Sequence, residues 1–145
     1  MRLADRLVVP DASVAVKWFL PEPGSDAARA LRDDDAVTLH APDVWYVEIG
    51  NALWKRARRG DARLRPEIVR AMLADLRSIA VTTHEAAPIL ERAATLALEL
   101  GISVYDASYA AVAERAQATF LTADARLAHA LAGHTTAPVE LLSQQ

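Results

Sequence analysis

Asp11, Glu48, Asp106 and Asp124 are the acidic residues whose settings suggest chemistry. Asp11 closes the apolar run LVVP and opens D-A-S, and Asp124 follows ATFLTA. Glu48 interrupts the aromatic and apolar segment WYVEIGNALW, with Asn51 one helical turn on, while Asp106 heads YDASYAAVAERA. Each also has an ordinary reading. Asp11, Asp106 and Asp124 stand where aspartate caps a helix, and Glu48 can be a surface glutamate. Carboxylates spread from residue 11 to residue 124 act together only if the fold gathers them. Gathered, they repel one another, and a hard divalent cation such as Mg2+ or Mn2+ relieves that repulsion. A cation of this kind activates water and offsets charge on phosphate, which points to phosphodiester hydrolysis. Ser13 and Thr122 are candidate hydrogen-bond donors beside Asp11 and Asp124, and Asn51 shares a helical side with Glu48. His40, His84, His129 and His134 show no ligand spacing.

Whatever holds these residues is one domain: 145 residues suffice for a core but not for two comfortable ones. The composition, 52% hydrophobic and 24% charged, is globular rather than disordered. Cysteine is absent, which removes disulfides, thiolate nucleophiles and zinc–thiolate sites. No apolar run has the length of a membrane span, and Asp5 and Arg6 interrupt any signal-peptide pattern, so a cytoplasmic protein is expected. The net charge of −3 conceals a basic stretch. Lys55, Arg56, Arg58, Arg59, Arg63, Arg65 and Arg70 face only Asp61 and Glu67 within it. Such a surface beside an acidic pocket suits a polyanion held over metal ions, with Lys55, Arg56, Arg58, Arg59 and Arg63 as RNA-binding candidates. The bland reading of the stretch is a solvated helix face.

The positioning elements follow from periodicity and punctuation. Strands are expected over residues 7–9, 37–39, 79–82, 119–121 and, at an edge, 137–141. Helices are expected over 13–19, stopped by PEPG, then from a Ser25 cap, and from residue 43 to Gly60. Further helices should start at Pro66, run over 85–100, begin at Tyr105 or Asp106 and end near Ala116, and cover 124–131. Strands separated by helices predict a three-layer α/β/α sandwich with a mainly parallel sheet. Ligands of such sheets bind beyond the carboxyl ends of strands where the strand order reverses. Asp11 and Asp124 both lie just past a strand end, and adjacent first and fourth strands would bring them face to face.

The segments VVPDASVAVKWFLPE, VEIGNAL, YDASYAAVA and FLTAD, in this order and spacing, resemble the PIN domain, and within it the VapC toxins of bacterial toxin–antitoxin pairs. The likeness runs from about Leu7 to Leu141. It implies a five-stranded sheet in the order 3-2-1-4-5, and Mg2+ or Mn2+ held by Asp11, Glu48, Asp106 and Asp124 with support from Ser13, Asn51 and Thr122. It implies an endoribonuclease acting on structured RNA, often transfer or ribosomal RNA, that forms a homodimer and is inhibited by a cognate antitoxin. Trp18, Phe19, Trp45 and the 64–76 helix are candidates to line the antitoxin's groove. Where some family members carry another aspartate after the position of Asp124, this chain has Ala125, Arg126 and Leu127, which leaves one or two ions open.

Two other classes compete. A non-catalytic RNA-binding or protein-interaction module would use the basic 55–70 stretch and would bind in a salt-sensitive way without cleavage. A metal-dependent phosphatase is disfavoured because Asp11 is followed by Ala12 and Ser13 rather than by the second acid of a D-x-D pair.

Overall fold

The computed structural model describes residues 5–144; residues 1–4 and 145, which the expected 1–145 domain includes, lie outside the described residues. The strands are β1 (Arg6–Pro10), β2 (Val37–Pro42), β3 (Val81–His84), β4 (Thr119–Thr122) and β5 (Val139–Leu141). They form one sheet in the order β3-β2-β1-β4-β5, and every pairing is parallel. Helices join them: α1 (Ala12–Ala15), α2 (Ser25–Asp33), α3 (Trp45–Arg58), α4 (Pro66–Ser78), α5 (Ala86–Leu100), α6 (Val104–Ala116) and α7 (Ala125–Leu131). Parallel neighbours need such crossovers, and the helices cover the sheet. In β1 both Val8 and Val9 are fully buried, as are Phe120 and Thr122 in β4 with Leu121 nearly so, although successive side chains point to opposite faces. The α/β/α layering and the expected strand order therefore both hold.

Pro10 is in register with Leu121, so β1 and β4 lie side by side at the reversal of strand order. α6 packs across β1, β2 and β4 and carries α5 on its other side. Its residues Ala107 through Ala113 are all buried. A helix sandwiched between a sheet and another helix must be small and apolar all round, which accounts for its alanines.

Several boundaries differ from the sequence reading. Ile79 and Ala80 are not in β3: the Ile79 amide donates to Leu76 O and closes α4, so the strand begins at Val81. Instead of one helix over 13–19, α1 ends at Ala15 and a 3-10 turn, Val16–Trp18, follows. Ser25 does not cap α2. Gly24 does, at φ +89°, where a Cβ would sit 3.1 Å from Ser143 O. Ser25 Oγ instead donates to Leu20 O and accepts from the Glu22 amide, tying the PEPG turn together. No helix among the described residues is long and apolar enough to cross a membrane.

Candidate active site

Asp11 is the first residue past β1, and its amide donates to Leu121 O of β4 at 3.0 Å. It caps α1, accepting from the Val14 amide at 3.3 Å, so the ordinary reading of this aspartate is correct as far as it goes. Capping does not exhaust it. Ser13 Oγ donates to Asp11 Oδ1 and Thr122 Oγ1 to Oδ2, each at 2.5 Å. The two hydroxyls also accept backbone amides, Ser13 that of Ala123 at 2.9 Å and Thr122 that of Asp124 at 3.0 Å. Side chain and backbone thereby lock the end of β1 to the turn after β4. Asp11 is only 4% exposed. Burial pushes its carboxyl up to about 6, against the lowering effect of Ser13, Thr122 and the Val14 amide, and the charge of Asp106 raises it further.

Asp106 is not the cap of α6. Ser103 is, its hydroxyl accepting the Asp106 amide at 3.0 Å, which leaves Asp106 in the first turn with its carboxylate available to the site. Burial raises the Asp106 carboxyl above the usual range, Ser103 lowers it, and the charge of Asp124 raises it. Glu48 lies on α3, half-buried, and accepts from Tyr109 Oη at 2.6 Å. It too is raised, first by burial and then, after the lowering effect of Tyr109, by Asp106; Lys55 works against this. Asp124 caps α7, accepting from the Arg126 and Leu127 amides at 2.9 and 3.2 Å.

Asp106 is thus the charge that the other three share. It raises Asp11 and Glu48 and is raised by Asp124. Asp106 and Asp124 line one cleft of about 380 Å3 with Ser103 and Arg126. The fold brings each of the other three acids within electrostatic reach of Asp106. It does not close them into a cage: among the described residues no three Asp, Glu, His or Cys side chains form a group able to hold an ion. The reason is visible in their partners, because Asp11 faces two hydroxyls, Glu48 a phenol, and Asp124 the amides of α7. In donor chemistry the set suits Mg2+ or Mn2+, being all oxygen, anionic and crowded.

Asn51 goes elsewhere. It is exposed, its side chain makes no hydrogen bond among the described residues, and it lines a groove of about 540 Å3 between α3 and α4 with Tyr46, Val47, Trp54 and Leu73. Trp18 and Trp45 cannot line that groove, being 4% and 0% exposed and packed edge to face at 5.8 Å. Trp54, 56% exposed, and Tyr46 are its aromatics. Within the basic stretch Arg56 is paired to Glu22 at 2.6 Å and Arg63 to Asp61 at 2.7 Å. Lys55, Arg58 and Arg59 are exposed and have no ion pair among the described residues. Two site neighbours escaped the sequence reading: Ser103, three residues before Asp106, and Tyr109, three after it. The i,i+3 spacing that placed Asn51 with Glu48 would have placed both with Asp106.

The sequence pattern of the PIN domain matches residues 8–131. Ribonuclease VapC3 of Pyrobaculum aerophilum is 40% identical over 124 residues, 83% of this chain and 92% of the relative. Ribonuclease VapC9 of Mycobacterium tuberculosis is 33% identical over 121 residues, 83% of this chain and 88% of its own length. The crystal structure of PAE2754 from Pyrobaculum aerophilum superposes with a TM-score of 0.63 at 28% identity, covering 94% of this chain and 92% of the other. With its five parallel strands in the order 3-2-1-4-5 and its four acids around the β1–β4 junction, the chain belongs to the PIN domain family and is closely related to the VapC-type toxin ribonucleases of toxin–antitoxin systems.

Proposed function

We propose that this protein is a Mg2+- or Mn2+-dependent endoribonuclease, the toxin of a toxin–antitoxin pair, which hydrolyses phosphodiester bonds in structured RNA (transfer or ribosomal) in the cytoplasm. The observation that carries this reading is the placement of Asp11 and Asp124 at the adjacent ends of β1 and β4, with Asp106 lining one cleft with Asp124. Asp106 raises the proton affinity of Asp11 and of Glu48 and is itself raised by the charge of Asp124, and a divalent cation would remove that penalty. Asp11, Glu48, Asp106 and Asp124 are the residues that would hold it, Mg2+ needing few direct ligands because it keeps several waters. When bound, the cation supplies Lewis acidity toward the phosphate and lowers the pKa of water. Ser13 and Thr122 fix the Asp11 carboxylate, while Lys55, Arg58 and Arg59 are the cations left to grip the RNA backbone.

The test is an RNA panel incubated with Mg2+ or Mn2+, with and without chelator, for the wild type and Asp11→Asn. Cleavage by the wild type alone, abolished by chelator, is expected; loss of at least about 100-fold in the variant follows from removing a group that acts on the reacting centre. Equal products in every arm would rule the reading out.

A second reading, a non-catalytic RNA-binding or protein-interaction module built on residues 55–70, is favoured by the exposed cations Lys55, Arg58 and Arg59. It requires RNA binding that survives Asp11→Asn and never leads to cleavage. An antitoxin is the partner to expect, seated in the α3–α4 groove beside Trp54. A homodimer is proposed through the apolar cleft of about 370 Å3 lined by Val44, Ile89, Leu90, Val104 and Tyr105.

A further inference from the structure

Tyr109 belongs to neither the ligand set nor the plain core. It is 1% exposed and stacks on Phe120 of β4, with ring centroids 6.3 Å apart and planes 24° from parallel. A phenylalanine would satisfy that packing equally well. The hydroxyl is a separate feature, and a buried hydroxyl needs a partner. Its partner is the carboxylate of Glu48, 61 residues away on another helix, at 2.6 Å. Tyr109 also lies one turn beyond Asp106 on α6, so the same helix carries an acid of the site and the group that holds a second acid. Burial, and then the nearby charge of Glu48, push the phenol far above its ordinary range, with Asp11 and Asp106 adding to the effect. Against a carboxylate, which can only accept, the phenol O–H is the donor.

We propose that Tyr109 is a positioning residue: its hydroxyl donates to Glu48 Oε1 and ties α3 to α6, so that the Glu48 carboxylate would meet a cation already held in one orientation. This rests on the cation reading above. A free glutamate has three side-chain torsions to order when it binds an ion, and one already held by a phenol has lost that freedom in folding. Hydrogen-bond partners behind metal ligands commonly set affinity in this way.

The test is a double-mutant cycle read by calorimetric Mn2+ binding to the full chain, using the wild type, Tyr109→Phe, Glu48→Gln and the double variant. Tyr109→Phe, which keeps the ring on Phe120, should weaken Mn2+ binding roughly tenfold. The same change should have no further effect once Glu48 is glutamine. With RNA as substrate, Tyr109→Phe should lower kcat and leave KM within about twofold. Glu48→Asp is an independent route, because the shortened side chain withdraws from the phenol; it should lose Mn2+ affinity, and adding Tyr109→Phe should then change nothing. Wild-type uptake of Mn2+ with unchanged affinity in Tyr109→Phe, or an equal loss in the Glu48→Gln background, overturns the positioning role alone. A wild type that takes up no Mn2+ overturns the cation reading itself, and this inference with it.

Discussion

Asp11 carries its charge at the expense of the fold. In water its carboxyl would lose its proton near 3.8, but in the buried junction of β1 and β4 the proton is held up to about 6. A raised carboxyl stabilises the folded state below pH 4, and that contribution is lost as pH rises through 6. Above pH 6 the metal-free protein therefore contains a buried, partly compensated anion at a cost of about 2–3 kcal/mol. Asp11→Asn removes the charge while its amide can still meet the Ser13 and Thr122 hydroxyls. In chelator at pH 8 the variant should thus be more stable than the wild type to urea, by about 2 kcal/mol. Excess Mn2+ should reverse the order, because the ion stabilises only the chain that binds it. A variant less stable than the wild type in chelator would mean that the hydroxyls, not burial, dominate at Asp11.

At the scale of elements, the edge of the sheet has a device that the spacing of the histidines concealed. His40 of β2 and His84 of β3 lie diagonally across a parallel pairing, with His40 Nδ1 and His84 Nε2 2.9 Å apart. One ring must donate and the other accept, so at most one proton sits between them. Burial holds both below the ordinary histidine range; beyond that, His84 disfavours charge on His40, and Arg115 disfavours it on His84. A depressed histidine favours the fold while neutral, and unfolding takes up protons once the pH drops below about 6.5. Stability should therefore fall between pH 7 and 5, and fall less in His84→Gln. Urea midpoints for the two proteins across that range decide it, and parallel curves would show that the pair has no part in pH sensitivity. Lys17, in the 3-10 turn after α1, acts differently. It is buried, but donates to Glu22 and to Pro23 O, and Glu22 in turn holds Arg56 of α3. That network spends Arg56 on the fold, and it is the reason a count of basic residues overstates the surface left for RNA.

At the scale of the whole molecule, two apolar faces stand open to solvent. The α3–α4 groove exposes Trp54 and Val47, and the α5–α6 side exposes Leu90, Val104 and Tyr105. Exposed apolar surface of this kind favours association. Trp54→Glu should leave RNA cleavage intact and abolish inhibition by the cognate antitoxin; unimpaired inhibition would remove the groove as the antitoxin's seat. Leu90→Glu should convert a dimer into a monomer in sedimentation velocity with its fold unchanged by circular dichroism. An unchanged mass would locate self-association elsewhere. Neither substitution touches a fully buried side chain, so each should alter stability by no more than about 0.5 kcal/mol.

The local code of this chain is strong. The apolar runs and punctuation of LVVP and ATFLTA specify two strands, the alanine-rich run after Asp106 specifies a helix, and Asp11, Asp106 and Asp124 stand at strand or helix ends. These are near-neighbour effects, set by backbone torsions and by which side chain can satisfy a nearby amide, and so they are legible along the chain. The helix starts near Asp106 and Ser25 were misjudged by one or two residues, since Ser103 competes with Asp106 for one cap and Gly24 with Ser25 for the other. What no local rule could supply is which distant groups meet. Glu48 finds Tyr109, His40 finds His84, Glu22 takes Arg56, and Trp45 vanishes into the core while Trp54 stays in water. Those pairings depend on how α3 packs on α1 and α4 and how α6 packs on the sheet, where burial and dielectric are properties of the assembled layers. The candidate acids were written in the sequence, whereas their proton affinities and the partners that hold them were decided only by the tertiary structure.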